Sequence, residues 1–109
     1  MSKVRVFFHN HCFDGSASAA VFTALYRHAR GPAGFEYCGL THKASDMFSE
    51  AEFSAGENAI VDFKYSPDPR VTWWFDHHQS AFLTPADADH FRQERSPQKF
   101  YDPHYGSCT

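Results

Sequence analysis

The sequence has few cysteines. Cys12, Cys38 and Cys108 are an odd number at wide spacing, with no CxxC pair among them. A disulfide scaffold and a structural zinc site are therefore not expected, and a reducing, cytoplasmic setting is the default. Long apolar runs are also missing. No stretch approaches the ~20 consecutive apolar residues of a membrane helix, so no membrane partner is expected. The run after Met1-Ser2-Lys3-Val4-Arg5 is too short for the core of a signal peptide. An excess of positive charge is absent too, the net charge being -3. That argues against a broad basic nucleic-acid surface, but not against a phosphate ligand held by metals in a small cleft. The glycine-rich loops of dinucleotide- and nucleotide-binding domains do not occur. Nor does the GxSxG elbow that would support a serine nucleophile. There is no internal repeat and no low-complexity segment.

What is present is apolar, bulky and rich in histidine. The 109 residues make one domain or part of one; 42% are hydrophobic and twelve are Phe, enough for a packed core, and eight are His. Val4, Val6, Phe7 and Phe8 read as a buried strand, broken at His9-Asn10-His11-Cys12-Phe13-Asp14-Gly15. A helix is expected from Ser16 to Arg30, with Ala17, Ala20, Val21, Ala24 and Leu25 as its apolar face and Gly31-Pro32 as its stop. Phe35 to Leu40 reads as a second strand, and Ser45 to Phe53 as a short helix capped by Ser45. Ala59-Ile60-Val61 reads as a third strand, Tyr65 to Arg70 as a proline-bearing loop, and Val71 to Phe75 as a fourth strand. Pro85 opens a helix running to Glu94 or Arg95, and Phe100-Tyr101 starts a fifth strand. Alternation of this kind predicts an α/β domain, a mostly parallel sheet with flanking helices.

Chemistry-bearing residues recur at the strand ends. His9 follows the first strand, His42 the second, Asp62 the third and Asp76-His77-His78 the fourth. In an open parallel sheet these ends share one edge, where ligands bind. Two adjacent imidazoles beside a carboxylate suit a divalent metal, one His ligating while the Asp orients it. The other His is then able to meet a phosphoryl oxygen. His9 and Asp14-Gly15 bracket a tight loop before a helix whose N-terminal N–H groups favour an anion. Taken singly, Asp62 is a strand-end turn residue and His9 an ordinary loop histidine; Asp-His-His is harder to explain as packing. A carboxylate between two metals can bridge them, and mixed His/Asp ligation suits manganese or a similar ion. His11 is expected to point to solvent, and His28, His90 and His104 to lie on the surface. Cys12 reads as a small buried hydrophobe. Trp73 and Trp74 are expected to supply one core and one covering residue.

This pattern resembles the DHH phosphoesterase superfamily. It has His9-x4-Asp14-Gly15 after the first strand, Val61-Asp62 after the third and Asp76-His77-His78 after the fourth, in that order. The small-residue helix Ser16-Ala17-Ser18-Ala19-Ala20 is similar to the family's first helix, and Tyr105-Gly106-Ser107-Cys108-Thr109 to the start of a later one. The resemblance implies a metal-dependent phosphoesterase, normally with two Mn2+ ions (Mg2+ or Co2+ as alternatives), acting on phosphodiester bonds of short oligonucleotides or small nucleotides. It implies that His9 and Asp14 bind one metal, that Asp62 bridges and that His77 binds the second. His78 would contact the substrate phosphate and Asp76 would support the histidines, so that Asp76, His77 and His78 form the catalytic group. There are departures. Many members carry a second Asp in the first motif, where Cys12 and Ser16 stand here; Cys12 is thus a further candidate ligand. A later metal-binding Asp has no counterpart, Asp102 being too close to the third motif. The family's small C-terminal substrate-binding domain is not expected within residues 1–109. Residues 1–109 are therefore expected to be the N-terminal portion of an incomplete DHH-type domain, marginally stable alone, with an incomplete second metal site. The competing readings are a non-catalytic metal- or nucleotide-binding module or degenerate fragment and, more distantly, a flavodoxin-like binding domain.

Overall fold

The computed structural model describes residues 2–9, 13–40, 53, 56–78, 81–82, 84–94 and 96–104. The readings made for His11, Cys12, His42, Cys108, most of the 45–53 helix and the 105–109 segment lie outside the described residues. The elements in chain order are β1 (Ser2–His9), α1 (Phe13–Arg30), β2 (Ala33–Leu40), β3 (Glu57–Val61), β4 (Val71–Asp76), α2 (Pro85–Glu94) and β5 (Lys99–Tyr101). The strands form one sheet in the order β2-β1-β3-β4-β5, and every pair is parallel. The α/β fold expected from the alternation of patterns is the fold observed. Among the described residues, no helix is long and apolar enough to cross a membrane.

The central strands are apolar without alternation because both of their faces are covered. Successive side chains point to opposite faces, so each strand feeds two cores. On the α1 face, Val4, Val6, Ala59, Val61 and Trp73 meet Ala19, Phe22 and Tyr26 of the helix. On the other face, Phe7, Ile60 and Trp74 meet Phe53, Phe63, Tyr65 and Ala81, with Phe91 of α2 packed against them. The adjacent tryptophans therefore fill one core each, rather than one filling and one covering. Trp74 is fully buried and Trp73 6% exposed. Both indole N–H groups are satisfied, Trp74 donating to the Phe63 carbonyl at 3.0 Å and Trp73 to Glu57 at 3.0 Å.

Helix α1 differs from expectation in two respects. It starts at Phe13, so Asp14 and Gly15 belong to its first turn rather than to a preceding loop. It is also rotated. The buried residues are Gly15, Ser18, Ala19, Phe22, Thr23 and Tyr26, while Val21 and Leu25 are 48% and 42% exposed. Aromatic area decides this. Phe22 meets Trp73 edge-on at 5.5 Å and Tyr26 meets Phe35 edge-on at 5.6 Å. Rings of that size bury more surface than the Ala/Val/Leu stripe.

Gly15 is the pivot of this packing. A Cβ there would sit 2.3 Å from the carbonyl oxygen of His9, so glycine alone lets the first turn of α1 approach the end of β1. Because the obstacle is backbone, Gly15→Ala should destabilise the fold by ~1–3 kcal/mol. Gly34→Ala, where a Cβ meets nothing within 4 Å, is the control. Urea unfolding of both variants decides the matter; equal midpoints would refute the account.

Candidate metal centre at the sheet edge

The strand order places β1 and β3 side by side, while the chain leaves them in opposite directions, β1 connecting to β2 and β3 to β4. This is the switch point at which open α/β sheets form a crevice beyond the strand C-termini. Phe8 pairs with Val61 and Val61 with Phe75, so the residues that follow, His9, Asp62 and Asp76, stand in one row. Leu40 and Tyr101 extend that row to its two ends through their pairing with His9 and Asp76.

Asp62 ends β3 in the left-handed region, at φ 56°, which Asp tolerates better than most residues because its short polar side chain bonds locally. Its N–H donates to the Phe75 carbonyl at 2.9 Å, and the residue is 1% exposed. Around its carboxylate the motifs converge. His77 Nε2 lies 3.3 Å from Asp62 Oδ1 and 3.3 Å from Asp14 Oδ2. His78 Nδ1 is 2.6 Å from Asp76 Oδ1 and 3.9 Å from Asp62 Oδ1. The two imidazole rings are 4.5 Å apart.

The donors of Asp62, Asp76, His77 and His78 all fall within 4.8 Å of one another. Ligands held ~2.1 Å from a divalent ion stand ~3–3.4 Å apart, so the 3.3 Å spacings around His77 fit such an ion. Asp76 Oδ2 is buried without a hydrogen-bond partner among the described residues, an acceptor that a cation could use. His9 sits level with Asp62, its ring 6.1 Å from that of Phe63, but it is not among the four mutually close donors.

Two contacts, only the first of them at the site, were not legible in sequence. The Tyr101 hydroxyl donates to the His78 carbonyl at 2.7 Å while its ring stacks on Trp74 at 5.6 Å, tying β5 to the Asp-His-His segment. A tyrosine in a three-residue edge strand gives no pattern from which that contact could be read. His90, expected at the surface, is exposed but bonded through Nδ1 to the buried Tyr65 hydroxyl. His28 and His104 are exposed as expected.

Burial pushes the Asp62 carboxyl up to about 6, helped by its hydrogen bond to Asp14 and by the neighbouring carboxylates against the opposing pull of His78. Burial likewise raises Asp76, with the His78 hydrogen bond opposing it. A carboxyl raised in the folded state stabilises the fold below its unfolded pKa, and loses that contribution as pH rises through the folded value. Between pH ~4 and ~7 the metal-free protein should therefore give up the Asp62 contribution. Asp62→Asn keeps the tolerance of left-handed backbone and removes the charge. In EDTA, its melting temperature should exceed the wild-type value by a margin that widens from pH 4.5 to pH 7.5. A constant or shrinking margin would contradict the burial of charge at this position.

Comparison with protein-family models, with curated proteins and with solved structures returns no match.

Proposed function

We propose that this cluster is a divalent-metal centre for phosphoester hydrolysis, and that the chain carries the metal-binding portion of a DHH-type phosphodiesterase acting on short oligonucleotides or small nucleotides. One observation carries the reading. Asp14 from the first turn of α1, Asp62 from the end of β3 and His77 from the end of β4 meet with 3.3 Å spacings, although 48 and 15 residues separate them in sequence. Packing alone gives no reason for a buried carboxylate to be collected with a second carboxylate and two imidazoles at a switch point.

In this reading His9, Asp14, Asp62 and His77 would hold the metal, a mixed His/Asp set suiting Mn2+ or a similar ion. When bound, the ions supply a water nucleophile at neutral pH and neutralise phosphate charge. The protein's own residues do the rest. Asp76 accepts from His78 Nδ1 and so fixes that ring; the contact of His78 with a phosphoryl oxygen then runs through Nε2. Tyr101 fixes the backbone beneath the ring. The N–H groups at the start of α1 favour a phosphate at the same edge.

The full-length protein that carries this metal-binding portion should bind Mn2+ and hydrolyse a dinucleotide only in its presence. His77→Ala and Asp62→Asn should each lower the rate by at least about 100-fold, and Asp76→Asn by ~10–100-fold. Manganese titration by electron paramagnetic resonance, with product formation in the same samples, is the measurement. Retention of metal-dependent rates by His77→Ala and Asp62→Asn would remove the assignment. Tight binding without turnover would leave a metal-binding module instead.

A further inference from the structure

Asp76 engages one carboxylate oxygen and leaves the other. Its Oδ1 lies 2.6 Å from His78 Nδ1, while Oδ2 is buried with no hydrogen-bond partner among the described residues. We propose that Asp76 is itself a metal ligand, binding a divalent ion through Oδ2 together with Asp62 and His77, and is not only the group that orients His78. The inference rests on the metal-centre reading and adds a ligand to it.

The register of the sheet puts Asp76 on the side that Asp62 occupies. Phe75 pairs with Val61, so Asp76 and Asp62 follow at one level on adjacent parallel strands. Side chains alternate between faces along a strand, so two residues at one level share a face, and their strands lie about 4.8 Å apart. Carboxylates placed in this way can reach a common ion. The side chains agree with the backbone. One donor atom each from Asp62, Asp76 and His77 falls within 4.8 Å of the other two, and His77 Nε2 is 3.3 Å from Asp62 Oδ1. Two ligands each ~2.2 Å from an ion stand at most ~4.4 Å apart, so little contraction closes the group.

Proton bookkeeping separates Asp76 from its neighbour His78. An ionised carboxylate only accepts hydrogen bonds, so His78 Nδ1 carries the proton of the contact with Asp76 Oδ1. That nitrogen then has no lone pair for an ion, and its ring is left to meet substrate through Nε2. Asp76 has acceptor capacity to spare, because its two oxygens together offer about four lone-pair positions. Oδ1 can hold the ring while Oδ2 holds the ion. A buried carboxylate oxygen with nothing to bond is costly, and a cation removes that cost. Ligand number points the same way. With His9 and Asp14 assigned to one ion and Asp62 shared, the other ion would have only Asp62 and His77. Asp76 makes three protein ligands with a position left open, the composition usual in catalytic metal sites.

The test counts ions without reference to turnover. Mn2+ is titrated into the full-length protein and bound ions are counted by electron paramagnetic resonance. The wild type should bind two. Asp76→Asn should bind one, or hold the second more weakly by over ~100-fold, beyond the loss that an outer-shell partner accounts for. His78→Gln removes the imidazole that Asp76 orients and keeps Oδ2, so it should still bind two. Thermal melts should agree, Asp76→Asn gaining less stability from Mn2+ than the wild type or His78→Gln. Asp76→Ser repeats the measurement if the Asn variant does not fold. Two ions bound by Asp76→Asn at wild-type affinity would mean that Oδ2 meets a buried water only. Equal losses in Asp76→Asn and His78→Gln would mean that Asp76 acts through the ring. Either result, or fewer than two ions in the wild type, overturns the proposal. Its failure is separable from failure of the phosphoesterase reading. Loss of one ion in Asp76→Asn, without hydrolysis of a dinucleotide by the wild type, keeps the ligand and discards the catalysis; Mn2+-dependent hydrolysis with two ions retained in Asp76→Asn does the reverse.

Discussion

The rung on which the site depends is the hydrogen bond from the Asp62 N–H to the Phe75 carbonyl. It is the last link between β3 and β4, and it fixes Asp62 level with Asp76. Once that register is set, His77 and His78 must emerge beyond the sheet, beside the first turn of α1. The left-handed backbone at Asp62 then turns the chain away at once, so Phe63 and Tyr65 drop into the core on the face opposite α1. One residue thereby ends a strand, aims a carboxylate at the crevice and begins the segment that seals the other face.

Precision at the edge is inherited from the aromatic cores below it. Trp74 stacks on Tyr101, whose hydroxyl holds the His78 carbonyl, so the depth to which an indole is buried sets the height of a histidine. Gly15 does the same for the helix, because only a residue without Cβ allows α1 to close on His9 and bring Asp14 to 3.3 Å from His77. Groups gathered from three elements keep spacings of a few ångströms only where each element is locked by packing. The bulky residues that looked like mere core material in the sequence are what supply that locking.

Much of this was legible from residues alone, for identifiable reasons. Short apolar runs ending in His or Asp gave β1, β3 and β4, since strands buried on both faces cannot be polar. Parallel topology then brought Asp14, Asp62, Asp76, His77 and His78 to one edge. Helix α2 was legible because Pro85 marks its start. The inward face of α1 is ambiguous in sequence because the helix carries two apolar stripes. Periodicity cannot choose between Ala17–Val21–Leu25 and Ala19–Phe22–Tyr26 without knowing that aromatic partners, Trp73 and Phe35, wait on the sheet. The left-handed turn at Asp62 and the grip of Tyr101 on His78 are tertiary facts with no local signature.

The identity of residue 62 separates fold from function. A left-handed strand end is served with least strain by glycine, and asparagine serves it while keeping a local hydrogen-bonding side chain. Aspartate is the costly choice. It buries a carboxyl among other carboxyls, pushing its pKa up to about 6, and destabilises the metal-free fold wherever that group is ionised. The backbone geometry therefore does not require a carboxylate here; a negatively charged oxygen is what the proposed metal would use. The same argument covers Asp76, which asparagine would fit by volume and which keeps a buried carboxylate oxygen without a hydrogen-bond partner among the described residues. Stability is given up at the positions where a metal would repay it.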